Sequence, residues 1–177
     1  MSKRQSHRAA GETAQTKSAL HERIRHMLTL ELLCSRFHLV AGQLRSRHGD
    51  RETLHVEDEY DVRDLLQALL TLEHDDIRRE EWAPSYAGGS ARTDFLLKVE
   101  QIVIAAKKTG SGLGARELGE QLIVDVQKYK QNSDCRTLVC FVYDPEGRIA
   151  NPRGIENDLS GDKDVLTVRV ITAPKGL

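Results

Sequence analysis

The chain has 177 residues, 39% hydrophobic and 30% charged, which suits one globular domain with an appendage and excludes two full domains. Its net charge of -1 announces no nucleic-acid partner in bulk, although a basic face can coexist with a neutral whole. No run of about 18 apolar residues occurs and the polar N-terminus lacks the core of a signal peptide, so no membrane partner is expected and a cytoplasmic location is.

Residues 1–17 read as a flexible polar tail. The first 25 residues carry six Lys or Arg against Glu12 and Glu22. From 18 to 50 the pattern becomes helical, with Leu20, Ile24, Met27, Leu30, Leu33, Phe37, Val40 and Leu44 recurring every three or four residues. Such a helix would be roughly 40 Å long at about 1.5 Å per residue. That exceeds what a small domain covers, so part of the stripe is expected to pack on a second copy, giving a homo-oligomer. The alternative is a helical hairpin broken near Gly42 and folded onto its own domain. The main globular domain is expected over 51–177.

After a break at 48–50, a second helix is predicted over 57–74, with Val62, Leu65, Leu66, Leu69, Leu70 and Leu72 apolar. Strands are predicted over 77–84, 91–98 and 101–107, with a Gly88-Gly89 turn between the first two. The TGSGLG loop leads to a helix over 115–130, then an apolar strand over 135–143. A mostly irregular stretch precedes a last strand over 164–172. The order implies an α/β fold with a mixed sheet between helices.

Cys34, Cys135 and Cys140 lack the paired spacing of a zinc site and read as buried small hydrophobes in a reducing compartment. His21, His26, His38, His48, His55 and His74 fit no metal motif, so surface or capping roles are expected. Asp75-Asp76 and Asp158, Asp162, Asp164 lack the spacing of a calcium loop and read as solvated.

The chemistry concentrates around Asp94, residue 105 and Lys107. Asp94 sits in a strand beside the apolar Phe95-Leu96-Leu97, and Ala105 and Lys107, two apart, face one side of the next. A lysine ending an apolar strand needs a carboxylate or an anion. Acidic oxygens holding Mg²⁺ beside such a lysine suit phosphodiester hydrolysis, since the ion polarises the phosphate and activates water.

This stretch, Asp94, ten residues, then Ala105-Ala106-Lys107, set among helix, three strands, helix and strand, resembles the PD-(D/E)XK nucleases. More closely, residues 57–160 with the runs DEYDVRDLL, IVIAAKKT, LGEQLIVDVQKY and CRTLVCFVYDPEGRIANP resemble a bacterial nuclease family of phage-defence effector modules. The resemblance implies a restriction-endonuclease-like core and a Mg²⁺-dependent (or Mn²⁺-dependent) endonuclease acting on double-stranded DNA, with a defence-system partner protein conceivable. It implies metal binding by Asp94, by a carboxylate at 105 and by the Ala106 carbonyl. Lys107 would position the attacking water, and Glu59 would complete the acidic shell. Gln121 and Tyr129 would lie near the DNA backbone, with Lys108 and Arg92 as further phosphate contacts. For Glu59 the competing role is a charge at the helix N-terminus; for Gln121, Asp125 and Tyr129 it is an exposed polar face.

The departure is Ala105, where the resemblance places glutamate. Alanine cannot coordinate a cation, so the chain is expected to cut DNA very poorly. Deliberate inactivation and natural decay both explain it, and the intact neighbours favour the former. The second functional reading is a non-catalytic DNA-binding or scaffold subunit, and a third is cleavage of RNA.

Overall fold

The computed structural model describes the backbone of residues 2–49, 51–80 and 94–175, and the side chains of 17–49, 51–79 and 95–175. A six-stranded mixed sheet separates two helical layers. Strands β1 (Ile77–Glu80), β2 (Asp94–Leu97) and β3 (Ile102–Lys108) form an antiparallel meander. From β3 the sheet continues in parallel through β4 (Thr137–Tyr143) to β6 (Leu166–Ala173), and β5 (Gly161–Lys163) closes the edge antiparallel to β6. The parallel strands are buried on both sides, which is why IVIAAK and TLVCFVY read as unbroken apolar runs rather than alternating ones.

One layer is α1 (Ser2–Arg45) with α2 (Glu59–Leu70). The stripe on α1 is read by the protein's own sheet along its C-terminal half. Leu30, Cys34, Phe37 and Ala41 are sealed against Ile104, Ala106, Phe141 and Ile171, with Met27, Leu33, Val40 and Leu44 flanking them. Phe37 is the anchor, its ring 5.1 Å from Phe141 and 4.8 Å from Tyr143. Tyr143 shares a 3.0 Å hydrogen bond with His38 Nδ1, and burial pushes its phenol above the ordinary value. Burial likewise pushes the Cys34 thiol up to about 12, as expected for a small core residue.

The helix runs through Gly42 without a break, so the hairpin alternative does not occur. Leu20 (55% exposed), Ile24 (48%), Leu28 (61%) and Leu32 (55%) stay uncovered. The expected tail over 1–17 lies, except for Lys17, outside the described side chains.

Helix α2 starts one residue after a capping box in which Asp58 accepts from the backbone of Tyr60 and Asp61 while the Asp61 carboxylate returns to the Asp58 amide. The other layer is α3 (Ala115–Lys130) and α4 (Pro152–Leu159). α4 corrects the irregular stretch expected before the last strand. The signal was local: Asn151 caps the helix by accepting from Gly154 N at 2.9 Å, and Pro152 sits in the first turn. Asp164 belongs to the β5–β6 turn at φ 62, not to the last strand, and asparagine or aspartate tolerates that conformation better than most residues.

The two cores predict a sharp contrast along the chain. Phe37→Ala should destabilise by about 3–5 kcal/mol in urea unfolding. Leu72→Ala, at a position 71% exposed, should stay within about 0.5 kcal/mol.

Candidate active site on the third strand

Residues of β3 alternate between the two layers. Ile102, Ile104 and Ala106 enter the core beneath α1 and α2, whereas Val103 and Ala105 enter the core beneath α3. Lys107 continues the second set. It is 1% exposed, and its ammonium lies 2.9 Å from Asp125 Oδ2 on α3. The charges meet at ion-pair distance without hydrogen-bond geometry, and Asp125 Oδ2 has no hydrogen-bond partner. A buried ammonium without an opposite charge would lose several kcal/mol of hydration uncompensated, and Asp125 is the opposite charge that meets Lys107 in the core.

Asp125 shares its helical face with Gln121 and Tyr129, and this face turns inward with Leu118 and Leu122. Tyr129 is 1% exposed, with its hydroxyl bonded to Lys128 Nζ at 2.9 Å. Gln121 is half-buried at the rim of that face. The face is therefore neither wholly solvent-exposed nor wholly available to a ligand.

The register of the hairpin places Phe95 opposite Ile104, so the next pair outward sets Asp94 opposite Ala105. Strand alternation puts the Asp94 position on the side of Leu96, which is the side of Ala105 and Lys107. The Asp94 side chain and all of Arg92 lie outside the described residues. Among the described residues, β2 pairs with β3 only as far as Ile104, while β4 pairs with it to Lys108. Lys108 falls by alternation on the α1–α2 side, and its ammonium lies 3.4 Å from the Thr109 carbonyl.

Glu59 sits elsewhere. It opens α2, on the opposite layer from Asp125, and its described partner is Arg63 at 2.6 Å. Asp144, another buried acid near the end of β3, is fully engaged: it accepts from Thr109 Oγ1 at 2.6 Å and from the amides of Arg148 and Ile149 at 2.9 Å each. That carboxylate fastens β3 to β4 and is not free to hold a cation.

The structure thus brings position 105, Lys107 and the backbone of Asp94 together, and adds Asp125 as the residue that meets the lysine. Its signal in the sequence was an aspartate among the inward apolar positions of the 115–130 helix, four residues from Gln121 and Tyr129. As a divalent-metal site the present donors fall short, because Ala105 contributes a methyl group where a second carboxylate would be required.

A family model described as DpnII-MboI, a restriction endonuclease family, matches residues 28–175, from inside α1 to the end of the sheet. No curated protein and no solved structure matches the chain.

The ion pair makes a stability prediction independent of activity. Asp125→Ala should cost about 3–5 kcal/mol because it strands a buried ammonium. Pairing it with Lys107→Met should recover most of that loss in the same urea titration.

Proposed function

The chain belongs to the DpnII-MboI restriction endonuclease family, and from that premise we propose a nuclease built for Mg²⁺-dependent hydrolysis of double-stranded DNA, disarmed at one metal-binding position. The observation that carries this reading is the shared face of Ala105 and buried Lys107 on β3, with the Asp94 position opposite Ala105. In the armed form, Asp94, a carboxylate at 105 and the Ala106 carbonyl would hold the ion. Mg²⁺, with Mn²⁺ as a substitute, supplies charge neutralisation at the phosphate and activation of water. Lys107 orients the attacking water and meets the developing charge on the phosphoryl oxygens. Asp125 holds Lys107 in place. Glu59, the further acid of the expected shell, stands on the other helical layer paired with Arg63, so the ion-binding set proposed here does not include it.

Gln121, Lys108 and Arg92 are the side chains assigned to the DNA backbone. Tyr129, sunk in the core, serves that contact indirectly by fixing α3. A role as effector in bacterial defence against phage, alongside a partner protein, fits a restriction-type fold whose unregulated cutting would harm its host. The uncovered Leu20, Ile24, Leu28 and Leu32 on α1 support self-association. Pairing two copies would present two strand-cutting sites to one duplex. No helix among the described residues is long and apolar enough to cross a membrane.

The chain as it stands should bind DNA without cutting it, which is also what a non-catalytic DNA-binding subunit would do. Restoring the carboxylate separates the two. Ala105→Glu should nick or linearise plasmid with Mg²⁺ or Mn²⁺, and a further Asp94→Ala should abolish this. An Ala105→Glu protein that binds DNA yet cuts neither DNA nor RNA with either metal would favour the binding subunit. Cleavage of RNA alone would reassign the substrate.

Self-association is read from mass in solution. Light scattering at micromolar concentration should give more than one copy, and Ile24→Glu with Leu28→Glu should reduce it to one. A monomeric parent chain would refute the oligomer.

A further inference from the structure

The end of β3 away from Lys107 carries a second cluster with no part in the nuclease reading. Ile102 and Lys107 are five residues apart, about 17 Å of extended strand. Just before Ile102, the β2–β3 turn holds Glu100. That turn is set firmly: Gln101 takes φ 56, and its carbonyl accepts from Arg136 N at 2.8 Å and Thr137 N at 3.1 Å. Two imidazoles converge on Glu100 from different elements. His74 follows α2, and its Nδ1 lies 3.2 Å from Glu100 Oε1. His26 comes from α1, with Nε2 3.9 Å from the same oxygen.

Both histidines were expected at the surface, yet the His74 side chain is 2% exposed and that of His26 17%. His74 Nδ1 is the nitrogen that meets Glu100, while His74 Nε2 is buried without a hydrogen-bond partner. Among the described residues no lysine or arginine forms an ion pair with Glu100, whose side chain is only 16% exposed. Its close described contacts are the two imidazoles, with the Arg25 guanidinium acting on it from further off. One ligand atom from each of the three residues lies within 4.8 Å of the others. Ligands of one tetrahedral ion stand about 3.4 Å apart when each bond is near 2.1 Å, so rotation of His26 is the closure required.

We propose that His26, His74 and Glu100 form a binding site for one transition-metal ion of the zinc type. Two imidazoles and one carboxylate select such an ion over Mg²⁺ or Ca²⁺, which favour oxygen-only shells. The fourth position falls to water or to Glu22, one helical turn before His26 and 3.8 Å from its Nε2. Glu22 is presently tied to Arg25 at 2.8 Å, so water is the simpler occupant. A groove of about 730 Å³, lined among others by Glu22, His26 and Glu100, gives an ion its route in. Bound there, the metal would fasten the half of α1 that bears Leu20, Ile24 and Leu28 to the sheet and to the end of α2. Its work is structural, and it sets how α1 presents its uncovered apolar residues.

The test uses the full chain stripped of metal. Titration with Co²⁺ should give visible absorption of a low-coordinate N/O site, saturating at one equivalent. Zn²⁺ should displace it and raise Tm, whereas Mg²⁺ should do neither. His26→Ala and Glu100→Gln should each weaken Co²⁺ binding at least tenfold while Asp94→Ala leaves it unchanged. The metal-free variants should melt close to the metal-free parent, and the near-isosteric Glu100→Gln keeps the experiment decisive if His26→Ala disturbs packing. Absence of stoichiometric binding by the parent chain would overturn the site. So would binding that survives both substitutions, or that is lost with Asp94→Ala alone.

Discussion

An ammonium buried at the end of a parallel strand constrains everything around it. The Lys107 side chain lies among Val103, Leu118 and Leu122, and Asp125 is the carboxylate that enters this core to meet it. That pairing fixes the rotational setting of α3, because Asp125 must face β3. It also fixes the crossover between β3 and β4, since α3 has to lie across the strand that carries the lysine. An apolar residue of the same volume would pack as well at lower electrostatic cost. Ala105 shares the face of Lys107 on the strand, and Asp125 is the lysine's described counter-charge.

The remaining acids near β3 divide by what they are bonded to. Asp144 is saturated by a hydroxyl and two amides and works as a rivet between strand ends. Glu59 stands on the other helical layer, paired with Arg63. Hydrogen-bond saturation, more than proximity to the motif, distinguishes a structural carboxylate from one available to a ligand.

Helix α1 serves two masters along its length. Its C-terminal half is a wall of the core, closed by Phe37 between Phe141 and Tyr143. Before Leu30, among the described residues, Met27 packs on the core and His26 joins His74 at Glu100. The two ends of β3 thereby carry separate problems of buried charge, one met by an ion pair and the other left with an unbonded imidazole nitrogen.

The sequence by itself determined the order of elements from α2 to β4 and the final strand, because helical and strand periodicities are local and β3, α3 and β4 are strongly patterned, but it left out α4 and β5. It also determined that position 105 and Lys107 share a face, since alternation along a strand needs no tertiary information, and it pointed to the restriction-type fold. The helix at Pro152–Leu159 was legible too, in the Asn151 cap and Pro152, but its short amphipathic run was outweighed by the surrounding polar residues. Only the tertiary structure decided which half of the α1 stripe is covered, because 3.6-residue periodicity states that a face is apolar and not what lies against it. Only it turned Asp125 toward Lys107, and only it gathered residues 26, 74 and 100, since contacts between residues so far apart in the chain leave no spacing to read.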